Sequence, residues 1–300
     1  MSFKVEPLFS PVYELLLSFS LYKRQTHLKY LDIGPKWISD VESKISEDLK
    51  HRIQAKEELY FEDLSVLLIA QSPVKEDTAA FFKWLKSLSA GDIYNLLTPY
   101  LTESMTVPGD LDRERTQFIQ LLQGWNEQYF QTLDLGFLEA LKHDATRVKH
   151  RLTNELPEQV VRSESRFVVE TDEFTKVYLI PAYHFQPMSL VDAFEGTLFI
   201  TYPARTTTHF DEVIRVTKAL SDRRRLQILQ FLSSQPSTFT DIVKEIGMAK
   251  GNIHHHLSVL RAARLIDILL TDDKNTFYYT THKGFSNELH NEITQLMQVE

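Results

Sequence analysis

The chain contains no cysteine among its 300 residues. Without thiols it can build neither a thiolate metal site nor a thiol redox sensor, and the composition suits a reducing compartment. Glycine is scarce as well: nine residues, each standing singly, leave no glycine-rich loop to cradle a phosphate. Neither a G-x-S-x-G elbow nor an H-E-x-x-H pair occurs, so no catalytic constellation is present and the chain reads as a non-enzyme with no implied cofactor. His143, Asp144 and His150 come nearest, but Asp144 falls on another face of the same helix, and the set reads as a charged solvent face. No apolar run approaches the roughly 18 residues of a membrane span, and the N-terminus lacks a basic region followed by a signal-type core. The expectation is a cytoplasmic protein without a membrane partner.

Positive charge is in deficit, with 33 Lys and Arg against 41 Asp and Glu, a net charge of −8. A nucleic-acid binder should carry a basic footprint, so the distribution matters more than the total. From Thr208 to Glu300 there are 11 basic and 11 acidic residues, which places the whole −8 on the part before it. Between Asp222 and Arg264 seven basic residues stand against three acidic ones. With 43% hydrophobic residues the chain can build two cores. We therefore read two units, residues 1–207 and 208–300.

The second unit is the more legible. Ile253, Leu257, Leu260 and Arg264 fall on one stripe of a helix facing a core. Gly251, His255, Ser258 and Ala262 lie opposite, flanked by Asn252 and His254, and so form a small, hydrogen-bonding face of the kind that can enter a major groove. Upstream, Thr240 to Ile246 reads as a short helix ended by Gly247, which makes a helix-turn-helix. Downstream, Leu265 to Leu270 and Thr276 to Thr280 are strand-like runs around Asp272, Asp273, Lys274 and Asn275, which makes a hairpin. Helix-turn-helix and hairpin together predict a winged helix.

Three motifs here resemble the arsenic-repressor-like (ArsR/SmtB) family of regulators. Leu220 to Leu229 is similar to its L-x-D-x-x-R-x-x-I-L opening, Ile253 to Arg261 to its recognition helix, and Phe277-Tyr278-Tyr279 to the strand returning from its wing. The resemblance spans about Phe210 to Thr280. It implies a dimeric, usually repressing transcription factor on double-stranded DNA, with an inverted-repeat operator and an affinity set by an effector. Carried over residue by residue, the base-reading positions are Lys250, Asn252, His254 and His255, with Gly251 and Ser258 on the same face. Arg223, Arg224, Arg261 and Lys274 would grip phosphates. Arg223 and Arg224 read equally well as a solvated helix start behind Asp222, whereas Arg225 matches the packed family arginine. Ala249 stands where the family has a serine cap, which removes about 1 kcal/mol of helix-start stabilisation.

Neighbouring histidines on a helix point about 100° apart and cannot chelate one ion, so His254, His255 and His256 do not form a metal tract, and His256 reads as a packing residue. His282 and His290 fit no ligand spacing and read as surface residues. No metal site is expected.

The first unit reads as mainly helical. Helical patterns cover Ser10 to Tyr22, a start at Pro35, Glu57 to Ala70, Thr78 to Leu88, Asp92 to Leu101, Leu111 to Phe130 and Gly136 to Arg151. Strand patterns follow at 166–170, 176–180 and 197–202, the first two read as a hairpin in a small antiparallel sheet. The fold expected is thus α+β and mostly helical. Pro181 and Pro187 bracket Tyr183, His184 and Phe185, a segment that should leave the sheet and suits either an effector-pocket wall or a packed corner. A long-chain branch of the same family has this arrangement, and a sensing role for a small molecule or protein effector follows from the resemblance. Apolar faces on 213–220 and 285–296 suit a homodimer. The other class of function still open is a protein-interaction module whose winged helix no longer binds DNA.

Overall fold

The computed structural model describes residues 3–134, 136–205, 209–273 and 276–298. Strand β1 (Lys4–Pro7) is followed by helices α1 (Pro11–Arg24), α2 (Lys36–Glu42), α3 (Glu47–Ala55), α4 (Tyr60–Gln71), α5 (Thr78–Ser87), α6 (Ala90–Leu97), α7 (Leu111–Gln128), α8 (Gly136–Arg151) and α9 (Pro157–Ser165). α1 starts where the Ser10 side chain accepts from the Tyr13 amide and Pro11 occupies the first turn. Its apolar residues run nearly all round, which fits a central helix rather than a surface one. Val12, Leu15 and Phe19 are fully buried, and Trp125 of α7 meets Phe19 edge-on at 5.9 Å while donating to Ser18 Oγ at 3.0 Å. Gly124 permits this packing, since a Cβ there would sit 3.0 Å from Leu49 of α3.

Four strands come next: β2 (Phe167–Val169), β3 (Lys176–Ala182), β4 (Leu190–Phe194) and β5 (Thr197–Pro203). The expected antiparallel sheet is mixed instead. Its order is β1-β3-β5-β4, with β1 and β5 parallel to β3 and only β4 antiparallel. β3 and β5 are buried on both faces, and their near-continuous apolar runs are the mark of a parallel pair covered on each side. The expected hairpin between residues 166–170 and 176–180 does not form either. β2 turns away to another sheet, and β3 takes β1 as its neighbour, pairing Val5 with Val177. Pro181 remains inside β3, opposite Tyr202.

The chain then continues through α10 (His209–Leu220), α11 (Arg223–Ser234), β6 (Ser237–Thr238), α12 (Phe239–Ile246), α13 (Lys250–Ala262), β7 (Ile266–Leu270), β8 (Tyr278–Thr281) and α14 (Phe285–Gln298). Ile228, Leu232, Ile242, Ile253, Leu257 and Leu260 form its core. β7 and β8 make the wing, and the second sheet runs β2-β7-β8-β6. β2 pairs parallel with β7, Phe167 opposite Ile268, so the first part of the chain supplies an outer strand to the wing. The whole is α+β and mostly helical.

Candidate nucleic-acid interface

α12 is fixed at both ends by local chemistry. Thr238 and Asp241 form a capping box at its start, and Gly247 ends it at φ +67, the left-handed region where only glycine avoids strain. Two residues later α13 begins behind Ala249 without any side-chain cap. Asp222 caps α11, and Arg225 lies against the preceding helix end, donating to the carbonyls of Ala219 (2.6 Å) and Lys218 (2.8 Å). Ile253, Leu257 and Leu260 face the core as the periodicity predicts, and His256 is buried beside them.

The opposite face of α13 is only partly open. Lys250, Gly251 and Asn252 are exposed at its N-terminal end, as are Arg223 and Arg224 at the start of α11. His254 and His255 are exposed yet occupied. The His254 ring stacks on His27 at 6.2 Å, and His255 Nδ1 is hydrogen-bonded to the Tyr30 hydroxyl at 2.9 Å. Further along, Ser258 is buried and Ala262 joins the core of the first unit. Arg261 donates to the carbonyl of Ser189 at 3.1 Å instead of facing outward with Lys250 and Asn252. Lys274 lies outside the described residues.

The covering element is the 3₁₀ turn Leu28–Tyr30 with His27 before it. It is held from both sides: Asp32 pairs with Arg215 of α10 at 2.8 Å, and its amide donates to Gln186. His27 and Tyr30 were not among the residues singled out from sequence. They lie 225 or more positions from their partners, and helix periodicity cannot report what lands on an exposed face. Burial, reinforced by nearby positive charge, pushes the pKa values of His27 and His255 below the ordinary histidine range. The shift favours the neutral form of each ring, His27 near Arg261 and His255 near Lys29.

Residues 222–267 match the family described as bacterial regulatory protein, arsR family. The C-terminal unit, a winged helix-turn-helix, is similar to that family over those residues. Among solved structures, the arsR-like unit is similar to NolR from Sinorhizobium fredii, at 20% identity over 30% of this chain and 89% of that one, with a TM-score of 0.24. It is similar too to an ArsR-like transcriptional regulator from Rhodococcus sp. RHA1 (21% identity, 29% and 80% of the chains, TM-score 0.27). A third is the homodimeric winged helix-turn-helix DNA-binding domain of Mb0332 from Mycobacterium bovis (25% identity, 30% and 84%, TM-score 0.25). Comparison with curated proteins finds no match.

The wing of the arsR-like unit is tied to the first unit by a buried charge network. Asp267 of β7, fully buried, accepts from Arg162 of α9 at 2.7 and 3.0 Å and lies 3.2 Å from His282. Arg166 pairs with Glu288 of α14, and its guanidinium lies 2.9 Å from the His282 ring. His282 is thus not the surface residue expected from sequence, because β2 and α9 cover it; His290 is exposed as expected. Asp144, read as part of a solvent face, is buried as well and accepts from Arg147 at 2.7 Å. Among the described residues no group of three or more His, Asp or Glu could hold a metal ion, and no helix is long and apolar enough to cross a membrane.

Burial opposes charge on His282, but its bonds to Asp267 and Glu288 outweigh that and raise its pKa. Glu288 is pulled the other way, also against burial, to about 2 by His282 and Arg166. The sign follows for stability. The raised His282 contributes fully below the ordinary histidine pKa and loses that contribution as pH rises through its folded value. The depressed Glu288 contributes above the ordinary carboxyl pKa and loses it as pH falls toward 2. The network is therefore strongest between roughly pH 4.5 and 6.5. Melting curves of wild type and His282→Gln should differ most in that window and converge above it. Asp267→Ala, which strands two donors, should cost about 2–3 kcal/mol in denaturant titration.

Of the three residues read as an effector wall, Phe185 fronts a cavity. His184 is fully buried with both ring nitrogens engaged, Nδ1 to Glu14 at 2.5 Å and Nε2 to the Tyr129 hydroxyl at 2.8 Å. Tyr183 stacks on Phe137 at 5.0 Å. The segment around His184 is a packed corner.

Proposed function

We propose that the chain is a sequence-specific DNA-binding transcriptional regulator of the repressing kind, acting as a homodimer. Residues 208–300 read DNA; residues 1–207 sense an effector and hold the reader closed until it is needed. The observation that carries this reading is the open end of α13. Lys250 and Asn252 are exposed there, their side chains making no hydrogen bond or ion pair among the described residues, and a Cβ at Gly251 would meet nothing within 4 Å. Packing therefore does not require a glycine at this position in the first turn of α13. Close approach of a duplex gives it a reason.

Arg223 and Arg224 supply phosphate contacts where α11 starts, and Lys274 would add one from the wing. Pairing through α10 and α14 is supported by their mutual packing, which still leaves Phe210, Ile214 and Met297 exposed. A two-fold axis there would set two recognition helices about 34 Å apart, one turn of DNA. In the conformation described, the turn bearing His27 and Tyr30 stands where a groove wall must pass, so this is the DNA-free arrangement.

One observation favours a second reading, a protein-interaction module: the recognition face is already a protein contact. Titration of a fluorescent duplex at several salt concentrations separates the two. Regulator binding weakens with a log–log slope of about −0.9 for each phosphate neutralised; a flat response would favour the module.

A further inference from the structure

A cavity of about 330 Å³ lies between the two units, under the C-terminal half of α13. Leu17 of α1, Val66 of α4 and Phe185 line it from one side, Phe277 and Tyr279 of the wing from the other. Its size is at the small end of ligand sites, enough for a metabolite and too small for a nucleotide.

The charges on its wall are mostly accounted for. Arg24 meets both carboxylate oxygens of Asp63 at 2.8 Å, and Glu62 pairs with Lys56 at 3.1 Å. Arg261 is different. Its guanidinium has five donors, and its one hydrogen bond among the described residues goes to the Ser189 carbonyl, with no carboxylate within ion-pair distance. Burial destabilises its charge and lowers its pKa. Arg261 is half-buried, and a partly desolvated cation without a counter-ion is unfavourable, a cost that an anion entering the cavity would relieve. Asp63 and Asp192 at the cavity's acidic end disfavour a ligand with a second negative charge. The rest of the wall is mainly aliphatic and aromatic, with Ser20, Thr26 and His27 among the side chains that line it.

We propose that this cavity is the effector site, and that it takes a small organic monocarboxylate with an apolar body, its carboxylate paired with Arg261. The inference rests on the regulator reading and names the effector class for it. Such a ligand touches the recognition helix, the wing and the first unit together, so it stabilises the closed arrangement and lowers DNA affinity.

The test is calorimetric titration of the full chain, without DNA, with hexanoate, octanoate, benzoate and phenylacetate, each beside its primary amide. At least one carboxylate is expected to bind with a Kd below about 1 mM, its amide at least about tenfold more weakly. Arg261→Gln should abolish that binding, and so should Val191→Trp, which fills the cavity from its rim while keeping the charge. No binding by any carboxylate, equal binding by the amides, or unchanged binding by Arg261→Gln overturns the proposal. The two readings fail separately. A carboxylate that binds a protein with no affinity for DNA refutes the regulator and leaves the site standing; DNA binding in a protein that gives no heat with the panel refutes the site alone.

Discussion

Asn252→Ala is expected to weaken binding to a selected operator by about 30-fold or more while leaving the melting temperature unchanged. An amide side chain at the start of a recognition helix reads one base through paired hydrogen bonds, worth about 1–3 kcal/mol. A two-fold dimer loses the contact twice, so the expected cost is about 2–6 kcal/mol. Asn252 is exposed and outside the core of the arsR-like unit, so its truncation should shift stability by no more than about 0.5 kcal/mol. Lys250→Ala should act differently, lowering affinity about equally for all sequences and reducing the salt slope by about one per protomer. His255→Ala removes a reader and its tie to Tyr30 together, so its net effect should be smaller than that of Asn252→Ala. Anisotropy titration of operator and scrambled duplexes measures all three, and equal losses on both duplexes for Asn252→Ala would contradict its assignment.

The second large effect goes the other way. Replacing His27 and Tyr30 together by alanine should tighten DNA binding, by about 5- to 30-fold for each protomer. The pair contributes one exposed hydrogen bond and two ring contacts to the closed state, roughly 1–2 kcal/mol in total. Apparent affinity scales with the fraction of molecules able to bind, so loosening the cover raises it until the open form dominates. Asp32→Ala, which frees the same turn from Arg215, should act in the same direction with smaller effect because that ion pair is partly exposed. Unchanged affinity in the double variant would mean that the turn does not restrain the reader.

Local rules made much of this molecule legible. The cap at Asp222, the glycine that ends α12 and the core stripe of α13 each depend on a few neighbouring residues, and they stand where the sequence puts them; the cap at Thr238 was not singled out, and α12 starts one residue before the Thr240 expected. α3 and α9 were not foreseen: they are short and highly charged, and α9 offers only Val160 and Val161 as an apolar signal. β1 and the parallel pairing were missed because strand partners are chosen by distant segments. Val5 meets Val177 across more than 170 residues. The same holds for the site. The open residues at 250–252 follow from helix geometry, whereas the cover by His27 and Tyr30, the turn of Arg261 toward the first unit, and the burial of His282 all depend on contacts between parts of the chain far apart in sequence. Asp144 and His282 look like surface residues because their partners, Arg147 for Asp144 and Asp267 with Glu288 for His282, satisfy charges that hydropathy alone assigns to water.

The central claim is that α13 reads DNA when it is uncovered. Selection of random duplexes on the purified protein, run in parallel with wild type and the His27, Tyr30 double alanine variant, tests it most directly. Enrichment of one inverted repeat by both proteins, stronger in the variant and abolished by Asn252→Ala, is the predicted result. Failure of both proteins to enrich any sequence at low salt would contradict the account.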